Sequence, residues 1–186
     1  MKRTICLLTC CFAVFFLGSS CSKSMPGSGV SENYYSKKSS VIIDGVTWAT
    51  MNVGATNEDN WGICGTLFTY DNALKACPEG WRLPTNSEIE ALQIFCGRGE
   101  MYGVKGVWFS GSIPYKDYTA ADVNAIFIPL AGFNDGFGWK WPGHEGYYWY
   151  SAGYYYFKEY MPGYKIICSN QIPSDSAAYA VRCVKN

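Results

Sequence analysis

The chain has 186 residues with 15 basic and 15 acidic side chains, one histidine and an aromatic content of 17%. A formal net charge of zero supplies no basic face to neutralise phosphates, which argues against nucleic acid as a partner. With one histidine and no C-x-x-C pair, no structural zinc is expected, and nothing in the composition calls for another metal or a cofactor.

The chain opens as an export signal. Met1-Lys2-Arg3 is basic, Ile5 to Leu17 is almost uninterruptedly apolar, and the small residues Gly18-Ser19-Ser20 lead into Cys21. The apolar run has the length of a signal-peptide core and falls short of the roughly 20 residues that a membrane-spanning helix needs. Residues 1–20 read as a cleaved signal peptide and Cys21 as a lipidated mature N-terminus, although Leu17 lies four positions before the cysteine rather than three. Acyl chains on one cysteine hold a protein to a membrane at roughly 0.8 kcal/mol per buried methylene. Ser22 replaces the aspartate that retains lipoproteins at the inner membrane, which points to the outer membrane of a cell envelope, with its periplasmic and outer faces both open. Cleavage removes Lys2 and Arg3 and leaves 13 basic against 15 acidic residues, a net of −2.

Residues 21–40 form the lipidated end and a tether: Ser, Gly, Lys and Tyr with one Pro and no apolar period. A single domain over residues 41–186 follows. Val41-Ile42-Ile43 and Val46-Thr47-Trp48 flank Asp44-Gly45, a hairpin signal because both central turn residues need positive φ. Asp71 to Cys77 carries helix formers that Pro78 and Gly80 stop. Thr85-Asn86-Ser87-Glu88 is a capping box that opens a second helix, with Ile89, Leu92 and Phe95 or Cys96 on its apolar face. Beyond residue 100, short runs such as Val107-Trp108-Phe109 and Ile126 to Leu130 alternate with Gly, Pro, Asn and Asp, the pattern of strands and loops. Tyr179, Val181 and Cys183 alternate onto one face of a buried terminal strand. Hairpin, two helices and irregular β make an α+β domain.

Of nine cysteines, Cys6, Cys10 and Cys11 leave with the signal and Cys21 carries lipid, so Cys64, Cys77, Cys96, Cys168 and Cys183 remain. In an oxidising compartment this odd number reads as staples plus a leftover thiol.

Val46-Thr47-Trp48-Ala49-Thr50-Met51-Asn52-Val53-Gly54, Ala76-Cys77-Pro78-Glu79-Gly80-Trp81-Arg82-Leu83-Pro84-Thr85, Ile128-Pro129-Leu130-Ala131-Gly132-Phe133, Gly146-Tyr147-Tyr148-Trp149-Tyr150-Ser151 and Ala180-Val181-Arg182-Cys183-Val184 stand in one order along the chain. Together they resemble the Fibrobacter succinogenes major paralogous domain over residues 41–186. That family is similar to the C-type lectin-like fold and its formylglycine-generating enzyme branch. The resemblance implies two helices packed on a twisted, irregular antiparallel β core, chain ends that meet, and a Cys77–Cys183 disulfide. Tyr150 departs from the family, which places Ser there, and the change is expected to fall on the surface more than on the fold.

Catalysis has little to stand on. His144, in the Pro142-Gly143-His144-Glu145-Gly146 turn, lacks an evident nucleophile or orienting partner. Asn134, Asp135 and Glu145 are hard oxygen ligands of the calcium-binding type, but Asn134-Asp135-Gly136 reads more simply as a turn. The surroundings of Cys168 do not match the paired reactive cysteines of the formylglycine-generating branch.

The stretch from Trp139 to Tyr164 holds twelve rings, and adjacent rings on a strand point to opposite faces, so Tyr147 to Tyr150 are not all expected inside. Tyr and Trp among Ser and Gly is also the palette of antibody loops. Trp149 is expected in the core. Trp139, Trp141, His144, Tyr148, Tyr150, Tyr154, Tyr155 and Tyr156 are expected to line a binding face, against the alternative that Tyr147 and Trp149 pack inside while the other rings merely coat the surface. The leading expectation is therefore a non-enzymatic envelope module that binds a glycan or protein partner. Its rivals are an enzyme of the formylglycine-generating kind, a structural subunit of a surface assembly, and the variable protein of a diversity-generating retroelement, a group that also resembles this fold.

Overall fold

The computed structural model describes residues 39–56, 61–92, 95–110, 125–160 and 163–186. The expected signal peptide, Cys21 and nearly all of the tether lie outside the described residues, as do the side chains of Cys96, Tyr160 and Tyr164.

β1 (Ser40–Ile43) and β2 (Val46–Ala49) form the expected hairpin, with Ile43 opposite Val46 and positive φ at Asp44 (47°) and Gly45 (83°). The first helix, α1 (Tyr70–Ala73), starts one residue earlier and ends sooner than expected. Asp71 and Asn72 are weak helix-interior residues, and the chain tightens at once into turns in which Lys75 N–H donates to the Asn72 carbonyl and Ala76 N–H to that of Ala73. These turns deliver Cys77 to its partner. β3 (Trp81–Arg82) leads into α2 (Asn86–Ala91), which carries the expected capping box of Thr85 with Glu88. Ile89 and Leu92 are buried as expected, but Phe95 and Cys96 do not extend this face. They begin β4 (Phe95–Met101), because the ladder to the next strand takes the Phe95 backbone opposite Phe109.

β5 (Val104–Phe109) returns from β4 through Tyr102 and Gly103, both at positive φ, and pairs on its other side with the fully buried β6 (Ile126–Pro129). Glycine at 106 is a packing requirement, since a Cβ there would lie 2.3 Å from the Phe127 ring. β7 (Phe133–Asn134) and β8 (Trp139–Lys140) form a short arm. β9 (Glu145–Tyr150), β10 (Gly153–Tyr160) and β11 (Gly163–Ser169) follow as an antiparallel sheet. β12 (Val184–Lys185) then closes the sheet of order β1-β2-β12-β3, so the first and last strands share one sheet. Among the described residues the molecule is thus an α+β domain of small, mostly antiparallel sheets with two short α-helices and one 3-10 turn, Gly62–Cys64.

The expected alternation at the end of the chain holds although the regular strand there is only two residues long. Tyr179, Val181 and Cys183 enter a smaller apolar cluster with Ala73, Leu83 and Trp149, while Ala180 and Val184 enter the main core. Cys77 and Cys183 are joined by a disulfide, Cα to Cα 5.9 Å, which fastens the turns after α1 to this segment.

Candidate functional site

Tyr148, Tyr150 and Tyr155, expected at the surface, are in the core at 0%, 0% and 1% exposure. Alternation does place Tyr148 and Tyr150 on the face opposite Trp149, but both faces of β9 are covered. The main core lies on one side and the smaller cluster on the other, where Tyr179 sits 4.4 Å from the Trp149 ring. The chain from Ala178 to Ala180 also bonds alongside β9, Trp149 N–H to the Ala180 carbonyl and Ala180 N–H to that of Tyr147.

Burial of these phenols is possible because most of their hydroxyls have partners. Tyr148 donates to the Pro129 carbonyl at 2.8 Å and accepts from Asn52 Nδ2 at 3.1 Å. Tyr150 hydrogen-bonds to Asn170 Oδ1, so this residue, expected to alter the surface, is accommodated in the core instead. The Tyr155 hydroxyl is the one buried side-chain polar atom without a partner among the described residues. Arg182, 1% exposed, completes the framework, donating to Asn52 Oδ1 (2.8 Å) and to the carbonyls of Ala49 and Phe127 (3.0 Å each). Desolvation drives the Tyr148 phenol well above its ordinary pKa, which keeps it a neutral donor.

The exposed rings are gathered elsewhere, on the arm and, in the case of Trp61, against it. Phe137 is 94% exposed, Trp141 55%, Trp139 43% and Trp61 40%. Asn134 Oδ1 accepts from Gly136 N–H (2.8 Å) and Asp135 Oδ1 from Phe137 N–H (2.9 Å), so these two side chains build the turn that carries Phe137. Lys140 Nζ lies 3.5 Å from Asp135. The Phe137 N–H is the main cause that holds the Asp135 carboxyl below its usual range. Trp139 donates its indole N–H to the Ala131 carbonyl at 2.6 Å, and its ring meets that of Trp61 edge to face at 5.3 Å. Trp141 stands edge to face with Phe133 at 5.5 Å and adopts φ of 49°, a rare state for a bulky side chain. Its carbonyl accepts from the N–H groups of His144 (3.1 Å) and Glu145 (3.3 Å), which fixes the turn after it. Gly132, at φ of 65°, permits the close approach of this arm, since a Cβ would fall 2.2 Å from the Lys140 carbonyl oxygen.

Behind the arm, half-buried tyrosines form a column. Tyr147 lies 4.8 Å from Phe133 and stacks on Tyr156 at 5.2 Å, with Tyr154 at 6.2 Å from Tyr156. Burial, and next the bond from its hydroxyl to Glu145 Oε2 at 2.7 Å, raise the Tyr147 pKa.

Of the residues expected to form a binding face, Trp139, Trp141 and His144 are exposed on the arm, Tyr154 and Tyr156 contribute partly buried rings behind it, and Tyr148, Tyr150 and Tyr155 belong to the core. Sequence reasoning missed Trp61 and Phe137. The signal was present for Phe137, a large ring between Gly136 and Gly138 in a run of turn residues, where no core-facing strand can take it. Trp61 was marked in the same way, standing between Asn57-Glu58-Asp59-Asn60 and Gly62. Among the described residues no acid or nucleophile bonds the His144 imidazole, and no three His, Cys, Asp or Glu side chains gather to hold a metal. The Cys168 thiol is half-buried, and burial, then Glu90, raise its pKa and so disfavour the thiolate. No helix among the described residues is long and apolar enough to cross a membrane.

No family model matches the chain, and neither a curated protein nor a solved structure matches it.

Proposed function

We propose that the protein is a lipid-anchored component of the cell envelope whose folded part binds, without transforming, a glycan or protein partner, and that this part is of the C-type lectin-like kind exemplified by the Fibrobacter succinogenes major paralogous domain. The fold reading is supported by the first and last strands sharing a sheet, by two helices ahead of the main β region, and by the Cys77–Cys183 bridge. The binding reading is carried by one observation: Phe137, Trp139 and Trp141 are exposed on the β7–β8 arm, with Trp61 exposed against Trp139, although the core has buried most of the other large rings among the described residues. Rings held outside a finished core give contact area at low entropy cost and mark an interaction surface.

The test compares the purified protein with a Trp139→Ala/Trp141→Ala double variant on immobilised neutral glycans, anionic glycans and mucin. The expected result is at least tenfold weaker retention of the variant on whichever class retains the wild type, at unchanged melting temperature, a loss of about 1.4 kcal/mol per decade. Equal retention refutes the reading. The anchor has a separate readout: Cys21→Ala is expected to shift the protein from the membrane fraction to the soluble fraction, and a processed variant that still pellets with membranes rules Cys21 out.

A further inference from the structure

We infer that the ligand of the arm is a neutral glycan, with sugar faces stacking on the indoles of Trp139, Trp141 and Trp61 beside the turn that presents Phe137; this rests on the binding reading above. The first argument is charge. Asp135 is committed to Lys140 at 3.5 Å and to the Phe137 N–H at 2.9 Å, and Glu145 accepts the Tyr147 hydroxyl at 2.7 Å. Recognition of an acidic polysaccharide or a phosphate headgroup calls for an uncommitted cation, and of a basic peptide for an uncommitted carboxylate. Among the described residues, the arm and Trp61 present no lysine, arginine or carboxylate without such a partner. His144, exposed in the adjoining turn, supplies the donor and acceptor nitrogens that suit hydroxyl groups.

The second argument is the kind of apolar surface. All the exposed large apolar side chains here are aromatic, whereas Ile42, Leu74 and Ile172 are exposed on other segments. Protein interfaces enrich Arg and Met beside their aromatics, and residues 131–147 contain neither. A ring presents a negative face, which attracts the weakly positive C–H hydrogens along one side of a pyranose.

The third argument is preorganisation. The Trp139 indole N–H is spent on Ala131, its ring is set against Trp61, and the left-handed backbone at Trp141 holds that indole outward against Phe133. The turn that follows, closed by the His144 and Glu145 N–H groups on the Trp141 carbonyl, holds this backbone state in place. Rings already fixed lose little freedom when a ligand lands on them.

Affinity electrophoresis of the purified protein through gels containing hydroxyethyl cellulose, laminarin or yeast mannan, compared with polygalacturonate, tests the inference, with flotation on phosphatidylethanolamine–phosphatidylglycerol vesicles as a further arm. Retardation by at least one neutral polymer is expected, weakened at least tenfold by Trp141→Ala and by Trp139→Ala, and unchanged by Ile42→Ser, which removes an exposed apolar side chain elsewhere. Unaltered melting temperatures separate this loss from unfolding. No retardation by the neutral polymers overturns the inference. If binding to polygalacturonate, mucin or vesicles nevertheless depends on the tryptophans, the binding reading survives with another ligand; if no surface shows such dependence, both readings fail.

Discussion

β9 and β10 are drawn from the same palette of Tyr, Trp, Phe and Gly as the β7–β8 arm a few residues before them, and the two regions use it in opposite ways. Tyr148, Trp149, Tyr150, Tyr155 and Phe157 are at most 1% exposed, whereas Phe137, Trp139 and Trp141 are 94%, 43% and 55% exposed. Composition and alternation are shared, so neither accounts for the contrast. What differs is cover. β9 has apolar clusters on both faces and the C-terminal segment along its edge, while the arm is a two-stranded ladder of two residue pairs that the C-terminal segment meets only at Ala178, beside Asn134 of β7, and among the described residues no further strand lies beyond β8. Alternation decides which face a ring takes. The rest of the chain decides whether that face is wet.

The cover of β9 depends on the C-terminal segment, and that segment depends on Cys77–Cys183. A bridge closing 106 positions stabilises by about 4 to 5 kcal/mol in the chain-entropy model. Cys77→Ser/Cys183→Ser is therefore expected to lower unfolding free energy by about that amount in urea titrations, and to move tryptophan emission to the red as the Trp149 side is wetted. A loss below about 1 kcal/mol would mean that packing alone holds the cover in place.

The contrast is sharpened by truncating one ring from each region. Trp149→Ala removes a buried indole that packs on Tyr179 and Tyr70, and is expected to cost about 3 to 5 kcal/mol. Trp141→Ala, at an exposed position, is expected to stay within about 0.5 kcal/mol of wild type. Paired urea melts decide the matter. Equal losses would make the arm part of the core and remove the candidate surface.

Local chemistry was legible in the sequence. Asp44-Gly45 and the Thr85–Glu88 box form as read, because turn geometry and capping are settled within a few residues. The length of α1 was not legible, since it is cut short by a turn that delivers Cys77 to a residue 106 positions away. Nor was the return of β4 as a strand, which is settled by pairing with β5. For the candidate site, Trp139, Trp141 and His144 are exposed, and Tyr148, Tyr150 and Tyr155 were misplaced for one reason: their side of β9 and β10 is covered by the main core, assembled from distant segments such as Val41, Ile43, Trp48, Phe109 and Ile126 to Ile128. The Tyr148 and Tyr150 hydroxyls are satisfied away from water by Asn52, Pro129 and Asn170, partners that strand alternation does not reveal.

The smallest expected effect concerns the covered region alone. Both terminal guanidinium nitrogens of Arg82 donate to the Glu88 carboxylate at 2.8 Å, and the Thr85 N–H adds a third bond at 2.7 Å. The Arg82 bonds are the main cause that lowers the Glu88 pKa from 4.5 to about 2. Because the folded value is the depressed one, the native state holds this proton less readily than the unfolded chain. The resulting stability is complete above the ordinary carboxylate range and is lost as pH falls from 4.5 towards 2. Solvent reaches Arg82, so screening reduces the full linkage value to about 1 kcal/mol. Glu88→Gln is expected to be less stable than wild type by about that amount at pH 7 and indistinguishable from it near pH 2, in urea melts across the range. The box also sets Pro84, whose carbonyl accepts the Ser151 N–H at 2.9 Å at the turn between β9 and β10, so the effect belongs to the covered region. Ligand retention by the arm is expected to be the same in Glu88→Gln as in wild type at pH 7; a loss there would couple two regions that share composition but not cover.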